Sequence, residues 1–263
     1  MNAILTIIRK EWADVRRNKL VLSVVLFIPL LMTLIPLVML GVMGRFGVSE
    51  NDLQEMAPML ANPLFQGMNA VETVQAMMAS QFLVLFLMMP LMVPVTIASY
   101  SIVGEKITRS LEPLLATPVS TAKLLLGKGL AAALPGIFGA WASYAIFLIG
   151  ARFLSVSDAV FNIFINPMWL VAMLILAPLL TVLAVNVGII VSSRTSDPRA
   201  AEQLGSLVIV PLMILFIGPM AGFIQLNALT FGISALIVFL ADIALVYLGV
   251  KLFQRETILT RWK

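Results

Sequence analysis

The chain has 263 residues, of which 61% are hydrophobic and only 11% charged, with a mean hydropathy of +1.05. Soluble domains carry about 25% charged residues, so this much apolar surface belongs in a bilayer and not in one soluble core. The absence of cysteine and histidine excludes disulfides, thiolate nucleophiles, imidazole-ligated metals or haem, and Ser-His hydrolysis.

The N-terminus is patterned for a membrane surface. Ile4, Ile8, Trp12 and Val15 share one helical face, with Arg9, Arg16 and Arg17 on the others, which predicts an amphipathic interfacial helix. It leads into the first apolar run, about Leu20 to Gly44. That run is too long for a signal peptide and lacks a small-residue cleavage site.

An acidic connection follows, about Arg45 to Gln81. Ser49 with Asp52, and Asn69 with Glu72, resemble capping boxes. Each opens a short segment with an apolar side: Leu53, Met56 and Leu60 in one, Val71, Val74 and Met78 in the other. This connection is either a lid on the bundle or a substrate contact.

The second run, Phe82 to Val103, and the third, Gly129 to Gly150, enclose a charged insert. Ile107, Leu111, Leu114 and Leu115 fall on one helical face, with Glu105, Lys106, Arg109 and Glu112 around the rest. The expectation is a separate surface helix over 104–118, apolar side on the bundle and polar side offered to a soluble partner.

The fourth run covers about Met168 to Ser192, the fifth Leu204 to Phe223 and the sixth Ala228 to Val250. Six runs of roughly 20 residues read as transmembrane helices. The fold class is therefore all-α and polytopic, a single transmembrane domain over 1–263. Fifteen of the seventeen lysines and arginines flank these runs on one side, leaving Arg45 and Arg152 on the other. The positive-inside rule then puts both termini and the 104–118 insert in the cytoplasm. Charge placed in this way serves orientation, not nucleic-acid binding.

Polar groups within the runs are few. Asp242 lies about 13 Å from the end of its helix at ~1.5 Å per residue, and a carboxylate there costs about 2.5–3.5 kcal/mol. No lysine or arginine in another run balances it, so it is protonated or paired across the bundle. Hydrogen bonding to Asn186, Tyr144 or a serine is one role, and an ion or substrate path is the other. Asn186 by itself is interhelical glue. Gly218-Pro219, with Gly222 beyond, predicts a kink or break near the outer end of the fifth run.

Glu105-Lys106, then Ser110-Leu111-Glu112, Leu114-Leu115, Thr117-Pro118-Val119-Ser120 and Leu124-Leu125-Leu126-Gly127-Lys128 together resemble the coupling segment of type-2 ABC exporter permeases. Arg9-Lys10-Glu11-Trp12 and Arg16-Arg17 resemble the opening of the same family. Ser192-Ser193-Arg194 and Arg199 through Gln203 resemble its second cytoplasmic loop. Many members have Gly-Thr where this chain has Arg109-Ser110, a departure that leaves the helical pattern intact, and Pro113 is a second departure.

The resemblance implies that Glu105, Lys106, Arg109, Glu112, Thr117 and Pro118 couple to a separate ATPase. Arg194 and Arg199 either make a second ATPase contact or anchor to lipid, and the N-terminal helix has the same two options. Near Gly218 and Pro219 the resemblance implies an external gate; a packing kink is the alternative. ATP and magnesium are expected on the partner, with no cofactor in this chain. Gly127-Lys128-Gly129 lacks the upstream glycine and the hydroxyl of a phosphate-binding loop.

The implied function is thus a permease subunit in the cell membrane, needing a second permease copy or paralogue and an ATPase. The competing readings are an ion-coupled transporter using Asp242 or a membrane-embedded lipid enzyme.

Overall fold

A computed structural model describes residues 3–46, 67–110 and 120–252. Among these residues all regular structure is helical, and six helical stretches are long and apolar enough to cross a membrane. The Ser49–Asp52 capping pattern, the apolar side at Leu53, Met56 and Leu60, and Leu111 to Val119 with Glu112, Thr117 and Pro118 lie outside the described residues.

Helix α1 (Ala3–Arg17) is separated from α2 (Lys19–Phe46) by Asn18. The Asn18 side chain accepts from the amides of Leu20 and Val21, and so starts α2 afresh. Helix α3 (Ala70–Phe86) opens on the expected Asn69–Glu72 capping box, with both reciprocal bonds made. What it opens is not a short loop helix. Val74, Ala76, Met77 and Ala79 are buried, and α3 runs straight on into the core. The Val71, Val74, Met78 side read as a half-exposed face is one edge of a helix surrounded on nearly all sides.

A turn at Leu87 and Met88 separates α3 from α4 (Met89–Ile107). Pro90 has no N–H for the carbonyl of Phe86, and the chain tightens instead through Leu87 N to Val84 O and Met88 N to Leu85 O. Together they form the apolar stretch Val71–Ile107, the most buried of the six.

Helix α5 (Thr121–Leu154) begins on a Ser120 cap. Two short helices follow, α6 (Asp158–Phe164) and α7 (Pro167–Val171), and then a π-helical turn, Ala172–Leu176. The wide turn sits just ahead of Pro178, which cannot donate to the preceding turn of α8 (Ala177–Arg194). Asp197 caps α9 (Pro198–Gly205), its Oδ2 accepting from Ala200 N at 2.9 Å. A 3₁₀ turn leads to α10 (Val210–Met220), and α11 (Ala228–Leu252) completes the bundle.

Helix α4 is the hub, with α2, α5, α8 and α9 packed around it. Small residues allow the close approach: Gly136 faces Pro94 and Gly188 faces Ala98, where an added Cβ would meet atoms at 2.8 and 3.0 Å. At the end of the bundle away from α1, Gln75 is fully buried and ties three helices together. Its Nε2 donates to Leu40 O (2.9 Å) and Leu154 O (3.1 Å), and its Oε1 accepts from Val156 N (2.9 Å).

The break expected near Gly218-Pro219 is a helix terminus. Phe223 N bonds to Gly218 O at 2.9 Å and Gly222 N to Pro219 O at 3.1 Å, with Gly222 at φ +75°. This is a Schellman stop, and its left-handed residue is the position glycine suits best.

Candidate functional site

A cluster of charged side chains forms where α4 leaves the bundle. Gly104 to Ile107 form the last turn of α4 and not the start of a separate surface helix. No proline lies between Val103 and Ile107, Gly104 is tolerated within the helix, and the side chains of Glu105 and Lys106 are anchored on opposite sides of the turn.

On one side, Glu105 meets α1 and α5. Lys128 Nζ lies 2.8 Å from Glu105 Oε1, 2.7 Å from Glu11 Oε1 and 2.7 Å from Ser101 Oγ. Lys10 Nζ reaches Glu105 Oε1 at 2.6 Å, Glu11 at 3.0 Å and Asp14 at 3.2 Å. Glu11, Glu105 and Lys128 are only 3%, 6% and 6% exposed. The sequence permits this because Gly127 has no side chain: a Cβ there would sit 2.9 Å from Ile7. Helix α1 therefore lies directly on α5, with Trp12 Nε1 donating to Ala131 O at 3.0 Å.

Burial opposes the charged forms of Lys10 and Glu11. It is outweighed for Lys10 by Glu105 and Glu11, which hold its ammonium above the ordinary lysine value. For Glu11 it is outweighed by the charge and hydrogen bond of Lys128, so the carboxyl titrates below its ordinary 4.5.

On the other side, Lys106 Nζ donates to the carbonyls of Ser192 (2.6 Å), Ser193 (2.8 Å) and Thr195 (3.0 Å). These acceptors belong to the C-terminal end of α8, where carbonyls lack helical partners and the helix dipole is negative. Farther back along α4, Thr96 Oγ1 donates to Glu202 Oε1 of α9 at 2.6 Å.

Helix α4 ends in a second Schellman stop. Ser110 N bonds to Glu105 O at 3.0 Å and Arg109 N to Lys106 O at 3.1 Å, which puts Arg109 at φ +54°. The helical pattern therefore does not pass through Arg109, contrary to the reading of its spacing. A position that most residues avoid is occupied here by an arginine. Arg109 and Ser110 are exposed, and so is Ile107, which the spacing had placed against the bundle.

The remaining candidates lie apart. Arg194 and Arg199 are exposed at the end of α8 and the start of α9, on the Lys106 side. Asp242 on α11 is buried, with Asn186 of α8 as its polar neighbour. One turn before Asp242, Phe239 lines an open apolar groove of about 590 Å³ with Leu174, Ile175, Pro178, Leu179, Val182, Ala235 and Leu236. Gly218 and Pro219 close α10, far along the chain from the charged cluster.

Sequence reasoning did not find Glu11, Lys128 and Ser101 as a connected set. The visible sign was Gly127-Lys128, a cation directly after the residue that lets another helix come close.

No curated protein matches the chain. The model of the ABC-2 family of transporter proteins matches residues 5–254. That match spans the bundle from α1 to α11, and this six-span membrane permease belongs to the ABC-2 family of transporter proteins.

Proposed function

We propose that the chain is the permease subunit of an ATP-driven exporter in the plasma membrane, with both termini cytoplasmic. A separate subunit binds ATP and magnesium and hydrolyses the nucleotide. A second permease chain, identical or paralogous, completes the translocation path. No nucleic acid is involved.

The observation that carries this reading is the exit of α4. A buried hub helix ends in a firmly held turn, and the first residues beyond it, Arg109 and Ser110, face outward. Force applied to the segment beyond that turn reaches the centre of the bundle through one rigid helix. Arg194 and Arg199 stand exposed on the same side, where a docking subunit would meet both connections. In this arrangement Glu105 and Lys106 support the contact from behind, while Arg109, Glu112, Thr117 and Pro118 make it.

The test uses the Cys-free sequence. Ser110→Cys and Ser196→Cys are introduced singly, and the chain is co-expressed with an ATP-hydrolysing subunit encoded beside its gene. The subunit should co-purify with the chain and shield both cysteines from an impermeant thiol reagent. Both should also be unreactive in intact cells. Reaction in intact cells, or a permease that purifies without the ATPase and with unshielded cysteines, overturns the reading.

A further inference from the structure

Glu105 and Lys106 are neighbours on α4 whose side chains leave in opposite directions. Glu105 is gripped by Lys128 of α5 and Lys10 of α1; Lys106 holds the end of α8 and the first residue of the connection to α9. The same turn is closed by the Glu105 and Lys106 carbonyls, which accept from Ser110 and Arg109. Backbone and side chains of two residues thus fix four pieces of chain at one point.

We propose that Glu105 and Lys106 make the end of α4 a two-sided joint, which moves α1 and the α8–α9 connection as one unit with the segment that follows.

The chemistry favours a joint over a loose contact. Glu11, Glu105 and Lys128 are withdrawn from water, so parting them gives up close ion pairs that salt screens only weakly. A surface pair, such as Lys10 with Asp14, would yield readily. Gly127 also brings α1 close against α5, where a Cβ would sit 2.9 Å from Ile7.

The experiment measures distances between nitroxide labels by pulsed electron resonance, on the full chain in nanodiscs. One pair, Leu5→Cys with Ser110→Cys, reads the α1 side. A second, Ser110→Cys with Ser196→Cys, reads the α8–α9 side. A third, Ile149→Cys with Leu229→Cys, is the control away from the joint; all five residues are exposed. Lys10→Gln with Glu11→Gln removes the charged groups by which α1 holds the joint, but keeps the Lys128–Glu105 pair inside the bundle.

That double variant should lose the single narrow peak of the first pair only. Lys106→Gln should lose the peak of the second pair only, and Lys10→Arg should leave both narrow. If the double variant disturbs the control pair, Glu11→Gln alone is read, since Lys10 still neutralises Glu105. Peaks that stay narrow in every variant, or that broaden together, overturn the joint.

Discussion

Replacing Lys128 with methionine is the sharpest perturbation of the charged cluster. Lys128 is 6% exposed and is the cation shared by Glu11 and Glu105, with only half-exposed Lys10 left to neutralise both. Among the described residues Glu105 Oε2 already has no hydrogen-bond partner. Removing one member of a buried ion pair costs about 3–5 kcal/mol, because the other charge is stranded in low dielectric. At about 2–4 °C per kcal/mol for chains near this size, Lys128→Met should lower the thermal midpoint of the detergent-solubilised permease by roughly 6–20 °C.

Neutralising the set together, as Glu11→Gln, Glu105→Gln and Lys128→Met, should recover most of that loss, since no stranded charge remains. The pH dependence follows from Glu11. Its carboxyl titrates lower in the folded chain, so its contribution is complete above the ordinary value of 4.5 and is lost as pH falls through the folded value. Acid should therefore narrow the gap between the parent and the triple variant. A Lys128→Met chain as stable as the parent, or a triple variant no better than the single, would refute the buried-charge argument.

Two further substitutions test other parts of the structure. Arg109→Gly should raise the thermal midpoint, because a left-handed conformation costs a non-glycine residue about 1–2 kcal/mol, partly offset by glycine's freer unfolded chain; a lowered midpoint would deny that Arg109 ends the helix. Asp242→Asn should keep both stability and transport, since a buried carboxyl whose polar neighbour is Asn186 is replaced by an amide of the same shape. A folded but transport-dead Asn variant would assign Asp242 to a substrate or ion path.

Local rules served well wherever a few neighbouring residues decide the outcome. Asn69 with Glu72 starts a helix where its capping chemistry predicts, because the bonds involved span three residues. The six apolar runs and their one-sided flanking charge were readable for a similar reason: crossing a bilayer is a property of length and composition.

Depth and partnership were not readable. The side of α3 carrying Val71, Val74 and Met78 has the same pattern whether its other faces meet water or other helices, and only packing showed α3 to be core. Glu105 and Lys106 likewise read as a solvated polar face, since helical periodicity fixes which residues share a side but not what stands opposite. Glu11 and Lys128 are 117 positions apart, and their meeting depends on how α1 rests on Gly127 and how α4 and α5 are rotated about their axes. The sequence by itself determined a six-span helical bundle with a charged end. Tertiary packing alone decided that Glu11, Glu105 and Lys128 at that end are buried against one another, because desolvation and ion pairing depend on distances between helices that no single stretch of chain encodes.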